Sequence, residues 1–265
     1  MKVLATGATG TYAGLVVPAL VERGLDVRAI VHDPAKADIA RAHGAAETVQ
    51  ADLADAPSVQ RALDGVDGVF LITPAFHPQA VQLGENMVRA AEALGVPKLV
   101  YNGVYHPSLG LVNHATTRPV EEALYASDLD FTVLQPAMYM QALTPLYQQA
   151  LSTGAVVMPW SKHSKMTYVD YRDVADTVAI AFTDERLSRG TFELAELMSR
   201  VAGRALVAED LPDGSQLPPG APDGLAVMFQ DYDVHGFHGG NSLVLRTVLQ
   251  REPRSVAAFV AELAG

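Results

Sequence analysis

The stretch KVLATGATGTYAG, residues 2 to 14, decides how the rest of the chain is interpreted. A short apolar run leads into Gly7, Gly10 and Ala13, which are spaced three residues apart before a helix-like segment. In a dinucleotide-binding turn the first glycine permits a tight bend, and the second lets the backbone approach a pyrophosphate. The third position must be small so that the helix can pack on the strand, and alanine meets that need. Because free N–H groups at a helix start attract phosphate, the stretch predicts a pyrophosphate turn.

The segments that follow supply the context that such a turn requires. Apolar runs predict strands at 2–6, 26–32, 46–52, 68–73, 98–104 and 130–137. Helical patterns lie between them, at 11–24, 34–44, 57–65, 78–96 and 118–127. Pro18 predicts a kink or a shortened first helix. A glycine turn alone also occurs where nothing binds, but here it follows the first strand of a complete βαβ series, which favours dinucleotide binding.

The second half of the chain is less regular. We expect a helix at 171–184, a strand at 190–194 and two final helices near 243–250 and 254–263, with a loop at 210–224. Alternating strands and helices predict an α/β fold, a Rossmann-type doubly wound parallel sheet. The expected division is an NAD(P)-binding domain at 1–150 and a small C-terminal α/β lobe at 151–265. This lobe is partly interleaved with the sheet and forms a substrate cleft.

Composition excludes several classes of function. The 265 residues carry a formal net charge of −11 with their lysines and arginines scattered, which argues against nucleic-acid binding. There is no cysteine, so disulfides and thiolate metal sites are excluded. No apolar run approaches the roughly 18 residues that a membrane span needs. We expect a cytoplasmic protein that acts on a small molecule.

The end of the second strand bears on the choice between NAD and NADP. An acidic residue there binds the adenine ribose of NAD, whereas an arginine accommodates the NADP phosphate. The chain has His32 and then Asp33, while Arg28 lies four residues before His32, within the strand. Asp33 and the lack of a strand-end arginine slightly favour NAD. The alternative is that Asp33, followed by Pro34, only caps a helix.

Several motifs in order resemble one family. They are TGATGTYAG, VRAIVHDP, ADLAD, GVFLITP, LVYNGV, VEEALYASDLDFTVLQPAMYMQ and YRDVADTVA, with GGNSLVLRTVLQREPRSVAAFV near the end. The chain is similar to the NmrA-like branch of the atypical short-chain dehydrogenase/reductases. The resemblance implies a Rossmann domain with a small lobe and a cleft between them. Some members are reductases of quinones, dyes or phenylpropanoids, and others are redox-sensing regulators without clear turnover.

The resemblance also assigns residues. It implies that the pyrophosphate is held by Gly7, Thr9, Gly10, Thr11 and Tyr12. It places His32 where NADPH-using members often have arginine and where a regulatory member also has histidine. Adenine would be flanked by Asp52 and Leu53, the ribose bordered by Thr73 and Pro74, and the nicotinamide approached by Asn102, Gly103 and Pro136.

The chain departs from the superfamily at the catalytic dyad. No tyrosine has a lysine four residues later, and alignment puts Asn113 and Thr117 at those positions. Asn102 and Gly103 replace the usual serine. Hydride transfer remains feasible because the cofactor carries the hard step. We predict that His114 or Tyr105 supplies the proton, with His106 as a further option. The alternative for each is a hydrogen-bonded or surface residue.

Three other features allow both a functional and a structural interpretation. Met138, Tyr139, Met140, Met158 and Trp160 could line an apolar wall for a planar substrate or simply pack in a core. The segment HGFHGG, 235–240, invites a metal hypothesis, but without cysteine or a nearby acidic cluster a flexible flap is the better interpretation. The acidic segment PVEEALYAS, 119–127, is interpreted as a solvated helix face.

These observations predict an NAD(P)-dependent oxidoreductase acting on a planar aromatic or quinone-like substrate, in bacterial aromatic metabolism or detoxification. A non-catalytic NAD(P)-binding regulator with a protein partner is the alternative, and the missing dyad and His32 support it. An accessory component of an aromatic oxygenase system is a third interpretation.

Overall fold

The computed structural model describes residues 1–161, 163–196, 207–210 and 221–264. Its contacts divide the chain into unit 1, Met1–Pro136 with Arg172–Glu193, and unit 2, Ala137–Tyr171 with Leu194–Gly265. This division differs from the predicted boundary at residue 150. Residues 137–150 pack within unit 2, and residues 172–193 return to unit 1.

The strands and helices are numbered through the chain. The strands are β1 (Lys2–Ala5), β2 (Asp26–Val31), β3 (Glu47–Gln50), β4 (Gly68–Ile72), β5 (Lys98–Asn102), β6 (Asp130–Pro136), β7 (Met138–Tyr139), β8 (Ala155–Met158), β9 (Tyr168–Val169), β10 (Gly190–Leu194) and β11 (Val207–Asp210). The helices are α1 (Val16–Glu22), α2 (Ala37–Ala42), α3 (Ala56–Leu63), α4 (Ala80–Ala93), α5 (Val112–Ala115), α6 (Arg118–Tyr125), α7 (Leu143–Thr153), α8 (Tyr171–Thr183), α9 (Asp223–His235), α10 (Leu243–Leu249) and α11 (Val256–Ala264).

A seven-stranded sheet with the order β10-β6-β5-β4-β1-β2-β3 forms the centre of unit 1. The pairings from β3 through β6 are parallel. The order reverses between β1 and β4, as in a Rossmann-type doubly wound sheet. The predicted fold class is therefore confirmed. All six strands predicted before residue 138 are present, each within two residues of its expected bounds.

Continuous apolar strands explain the burial of this sheet. β4 and β5 carry side chains such as Val69, Leu71 and Leu99 that are fully inaccessible to solvent, as parallel strands covered on both faces require. Helices α4 and α6 contribute Met87 and Leu124 to the same core cluster. Because helices cover the sheet, polar groups of unit 1 can reach a ligand at the loops that follow the strand ends.

The first helix is shorter than its sequence pattern predicts. Residues 13–15 form a 3-10 turn, and α1 begins at Val16. Pro18 consequently lies in the first turn, where its missing N–H would have had no intrahelical partner. Of the two outcomes predicted from Pro18, the shortened helix is the one found.

Unit 2 contains two small strand pairs, β7 with β9 and β8 with β11. Its core includes Met140, Val256 and Phe259. Helices α7 and α9 were not predicted, whereas α10 and α11 lie where expected. Most of the predicted loop at 210–224 lies outside the described residues, and its end opens α9. None of the described helices combines the length and apolar character needed to span a bilayer.

Candidate functional site

The turn after β1 has the geometry that its two glycines permit. Gly7 has a φ of 68°. A side chain there would lie 2.9 Å from Ile72 Cγ2 and 3.0 Å from Ala13 Cβ. The Gly10 N–H donates to the Gly7 carbonyl oxygen at 2.8 Å, and a Cβ at Gly10 would lie 3.1 Å from that oxygen. Both glycines are exposed, so the backbone of the turn is open to a ligand.

The neighbouring side chains complete the surface of the turn. Thr11 is exposed, whereas Thr9 and Tyr12 are half-buried. Burial raises the pKa of the Tyr12 hydroxyl, so this group stays protonated near neutral pH and suits a lining role rather than proton transfer. A side chain at Gly14 would lie 2.8 Å from His43 Cε1. The absence of a side chain at Gly14, which the fingerprint spacing did not single out, thus lets α1 pack against His43.

The predicted cofactor residues all lie at one edge of the sheet. Parallel strands end at the same edge, and ligands bind where the strand order reverses. The residues lie at or just after the ends of six strands, namely β1 (Gly7), β2 (His32, Asp33), β3 (Asp52, Leu53), β4 (Thr73, Pro74), β5 (Asn102, Gly103) and β6 (Pro136). Thr6 Oγ1 accepts a hydrogen bond from the Ile72 N–H at 2.8 Å, which ties β1 to β4 at the reversal point.

Local hydrogen bonds fix the loops after β3 and β5. Asp52 Oδ1 accepts from the Ala54 N–H at 2.8 Å, and the Leu53 carbonyl accepts from Asn86 Nδ2 at 3.0 Å. The Asn102 amide donates to the Gly103 carbonyl at 3.1 Å. These side chains therefore shape the loop backbone at the edge. Thr73 is half-buried and Pro74 is exposed after β4.

The end of β2 shows what its charged residues bind. Asp33 Oδ1 accepts from the Ala35 N–H at 2.9 Å and caps the short 3-10 turn that follows. Arg28 is committed elsewhere, because its Nε donates to Glu47 at 2.7 Å and its Nη1 donates to backbone carbonyls. His32 is exposed. The capping role of Asp33 weakens the sequence argument for NAD, so the choice between NAD and NADP depends on the other side chains of this strand end.

A buried carboxyl group lies next to the end of β5. The interpretation of α6 as a solvated acidic face holds for Glu122, which is exposed, but is wrong for Glu121, which is only 5% exposed. Gln135 Nε2 donates to both Glu121 carboxylate oxygens, at 3.1 and 3.0 Å. A Cβ at Gly103 would lie 2.9 Å from Glu121 Oε1. Burial is the main cause that raises the pKa of Glu121.

The helical spacing contained the signal for this burial. Val120 and Leu124 are fully inaccessible, and Glu121 is adjacent to one and three residues before the other. Residues three and four apart share a helix face. The acidic composition of the segment concealed the fact that one of its two glutamates belongs to the apolar face.

The predicted proton donors lie on and behind the loop that leaves β5. His114 is fully buried, and its Nδ1 lies 3.1 Å from the His106 carbonyl oxygen. Because a carbonyl only accepts, Nδ1 carries the hydrogen. His106 has a φ of 56°, which non-glycine residues rarely adopt. Tyr105 is 4% exposed; its ring centroid lies 3.9 Å from that of His106, and its N–H donates to the Pro136 carbonyl at 2.9 Å.

The dyad positions carry no acid–base pair. Thr117 is buried, and its hydroxyl donates to the His114 carbonyl at 2.9 Å. Asn113 is half-buried. Tyr168, which has arginine where the dyad needs lysine, has its pKa raised by burial. A catalytic tyrosine needs the opposite shift.

The apolar residues considered for a substrate wall have different environments within unit 2. Met140 is fully buried and packs with Val256 and Phe259, so core packing is the correct interpretation for it. Trp160 is half-buried, with its ring centroid 5.7 Å from that of Phe229.

The centre of the HGFHGG segment is anchored by backbone hydrogen bonds. The Phe237 N–H donates to the Lys165 carbonyl at 2.9 Å, and the Phe237 carbonyl accepts from the Thr167 N–H at 3.0 Å. Thr167 Oγ1 donates to the Gly239 carbonyl at 3.2 Å. A free flap is therefore not what the structure shows for this segment. Across the described ranges, no three histidine, aspartate or glutamate side chains are close enough to hold a metal ion.

Known proteins share the sequence pattern of this chain. The model of the family described as the NmrA-like family matches residues 1–236. The NAD(P)H azoreductase of Xenophilus azovorans is 30% identical over 84% of this chain and 83% of its own length. Quinone oxidoreductase 2 of Escherichia coli K12 is 27% identical over 97% of both chains.

The fold also matches a solved structure. The crystal structure of the NADPH-dependent quinone oxidoreductase QOR2 of Escherichia coli, complexed with NADPH, superposes with a TM-score of 0.84. The match covers 99% of this chain and 100% of that one at 23% identity. The two chains therefore share a fold over their whole lengths.

Proposed function

Because the chain belongs to the NmrA-like family, we propose that it uses a reduced nicotinamide dinucleotide to reduce a planar aromatic or quinone-like acceptor. The observation that carries the proposal is the exposed Gly7–Gly10 turn beside the β1–β4 reversal. A pyrophosphate needs such an approach to bare backbone at Gly10, and a side chain at Gly7 would distort the turn by meeting Ile72 and Ala13. The acceptor class follows from the azoreductase and the quinone oxidoreductase among the relatives.

The residues present fit a dinucleotide along this edge. The turn of Gly7 and Gly10 would hold the pyrophosphate, His32 would face the adenine ribose, and Asn102 with Pro136 would bound the nicotinamide end. When bound, the cofactor supplies a hydride. Reduction of a quinone to a quinol adds that hydride and one further proton. A conjugated acceptor of this kind needs less acid assistance than a simple ketone, which agrees with the missing dyad.

We assign His114 a positioning role rather than contact with the acceptor. Its imidazole is fully buried and donates to the His106 carbonyl, so it holds the loop that carries Tyr105 and His106. His106 is half-buried and is the most accessible acid–base group of the three. The further proton would then reach the acceptor from this loop or from solvent.

We propose NADPH as the preferred dinucleotide. Asp33, the basis of the argument for NAD, is engaged as a cap, and the exposed side chains of His32 and Lys36 stand at the end of β2. A 2′-phosphate would find positive charge there. Exchanging His32 or Lys36 for alanine should lower the ratio of kcat/KM for NADPH to that for NADH by about tenfold, or about 1.4 kcal/mol. Arg23→Ala, an exposed cation after α1, is the control and should leave the ratio unchanged.

A turnover assay tests the proposed activity. The purified chain is mixed with NADPH or NADH and a panel of quinones and azo compounds, and the absorbance of reduced nicotinamide is followed. We expect oxidation with at least one acceptor. Dinucleotide binding without oxidation by any acceptor would contradict the enzyme proposal.

A regulatory function is kept as a second candidate because of one observation. Thr117, at the lysine position of the dyad, donates its hydroxyl to the His114 carbonyl, and no tyrosine of the chain has a lysine four residues on. A regulator would bind reduced and oxidised dinucleotides with different affinities and oxidise neither. Calorimetric titration with both redox forms, beside the turnover assay, separates the two functions.

A further inference from the structure

An open surface pocket of about 240 Å³ lies within unit 2, and the histidines that line it are exposed. Its lining consists of hydroxyl, imidazole, ammonium and carboxylate side chains with some backbone: Ser161, His163, Ser164, Lys165, Asp233, Val234, His235, Gly236 and His238. Three of the chain's eight histidines meet there. We call it the three-histidine pocket.

The pocket is built by the turn of residues 161 and 163–165 against the end of α9. The Ser161 N–H donates to Asp233 Oδ1, and Ser164 Oγ donates to the Asp233 carbonyl at 3.1 Å. The Phe237 N–H donates to the Lys165 carbonyl at 2.9 Å. These bonds join the turn to the helix end and to the segment that follows it, so the walls of the pocket are set by backbone rather than by side chains alone.

Gly236 brings one imidazole into the pocket. Its φ is 69°, and a side chain there would lie 2.7 Å from the Lys165 carbonyl oxygen and 2.8 Å from His238 Nε2. Only glycine permits this approach at this backbone conformation. The bend at the end of α9 therefore places the His238 ring beside the turn that carries His163 and Lys165.

The charge of this pocket differs from that of the chain. The whole sequence carries a formal charge of −11, yet the pocket combines three imidazoles and one ammonium with a single carboxylate. Asp233, that carboxylate, already accepts from the Ser161 N–H. The negative end of α9 also favours positive charge near His235. The imidazoles and the ammonium group supply several N–H donors around a small volume.

The ligand class follows from these donors. No metal-binding group of three is present among the described residues, so the imidazoles are not arranged around a cation. Protonated imidazole and ammonium groups make their strongest hydrogen bonds to oxyanions. The volume is below the roughly 300 Å³ at which pockets for whole drug-sized molecules begin, which suits one charged end of a ligand.

We propose that the three-histidine pocket binds an oxyanion group, a phosphate or a carboxylate. The groups that govern the charge are His163 and Lys165 on the turn, Asp233 and His235 on α9, and His238 after it. Binding at this pocket does not depend on any dinucleotide or acceptor.

The experiment follows the histidine ring protons of the full chain by NMR while inorganic phosphate is added. Single His→Gln variants assign the resonances. We expect the His163, His235 and His238 signals to shift with one common dissociation constant. Calorimetric titration with phosphate should give the same constant. Titration with acetate distinguishes a site for carboxylates from one that requires phosphate.

Two variants make the outcome decisive. The double variant H163Q/H238Q should lose the calorimetric phosphate signal, whereas His77→Gln, an exposed histidine of unit 1, should keep it. If the three histidine signals shifted with unrelated phosphate dissociation constants, the proposal would be overturned, because the imidazoles would not share one binding site. Shifts confined to His32 and His43 would overturn it as well, since phosphate would then occupy the glycine turn. The absence of any shift is the third contrary result.

Discussion

At the residue scale, two glycines with nearly the same φ allow the effect of backbone strain to be distinguished from an effect on ligand binding. Gly7 has a φ of 68° and Gly65 a φ of 67°, so alanine at either position costs about 1–2 kcal/mol in left-handed strain. Only at Gly7 would the new Cβ meet neighbours, at 2.9 and 3.0 Å, whereas Gly65 has open space. We expect Gly7→Ala to weaken NADPH binding by about tenfold or more, and Gly65→Ala to leave it unchanged.

Denaturant unfolding and fluorescence titration of both variants measure the two effects separately. If Gly7→Ala and Gly65→Ala lost affinity equally, the loss would come from backbone strain that lowers global stability. The shape of the glycine turn would then not govern binding. A Gly7→Ala variant with normal affinity would show that the pyrophosphate lies elsewhere.

Glu121 and Glu122 form a second matched pair on α6. Burial raises the pKa of Glu121, so as the pH rises the unfolded chain releases this proton before the folded chain does. The stabilising contribution is fully present below the unfolded pKa, which is about 4.3. It is lost as the pH rises through the folded pKa. Glu121→Gln should therefore gain stability relative to the wild type between about pH 4.5 and pH 7.

Urea unfolding at the two pH values measures this change. Glu122→Gln, an exposed neighbour, is the control and should follow the wild type. If both variants show the same pH dependence, the carboxyl of Glu121 is ionised at little cost in the folded chain.

At the element scale, the sequence predicts strands better than it predicts the loops between them. β1, β4 and β5 were predictable because a strand buried on both faces must be a continuous apolar run. Helices α7 and α9 were not, since α7 has Pro145 in its first turn and α9 follows a Pro- and Gly-rich segment. Local composition there favours loops, and tertiary packing decides otherwise.

The residues of the candidate site, like the elements of the fold, could be predicted only in part. The glycine turn and the strand ends follow from spacing and topology, so their residues could be named in advance. The burial of His114 could not, because it depends on which face of the four-residue helix α5 packs inward. The burial of Glu121 was signalled by helical spacing but concealed by the acidic composition of α6. The engagement of Asp33 and Arg28 likewise required the positions of their partners.

The loop between β5 and α5 provides an element-scale prediction. His114 supports it by donating from Nδ1 to the His106 carbonyl at 3.1 Å. His114→Ala leaves that carbonyl without this donor, which lowers the free energy of unfolding by about 1–3 kcal/mol. Because the loop is then held less firmly, kcat should fall. His114→Asn can place an amide N–H near the same position and should restore most of the rate with an unaltered pH profile.

The pH dependence of kcat for both variants is the measurement. If His114 were the proton donor, the pattern would differ. His114→Asn would then fail to restore kcat, and the pH profile of kcat would lose the inflection that a histidine causes. That pattern would return His114 to a catalytic role.

At the scale of the whole molecule, the net charge of the chain and the charge of the proposed dinucleotide are both negative. A chain with a formal charge of −11 gains nothing from long-range attraction when it binds an anionic dinucleotide. On the proposed function, affinity arises from local groups, namely the N–H donors of the glycine turn and the side chains of His32 and Lys36 after β2. All the residues predicted to contact the dinucleotide lie in unit 1.

Saturating NADPH should therefore stabilise the chain through unit 1. A ligand at about 100 times its Kd that binds only the folded state adds about 2.7 kcal/mol to the free energy of unfolding. For a domain of this size that raises the Tm by about 5–10 °C. Scanning calorimetry measures the shift, and if two transitions are resolved, the one belonging to unit 1 should move. Gly10→Val should abolish the shift, and adenosine, which lacks the pyrophosphate, should produce less of it. A full shift with adenosine would place the binding energy at the adenine end and contradict the central role of the glycine turn in binding.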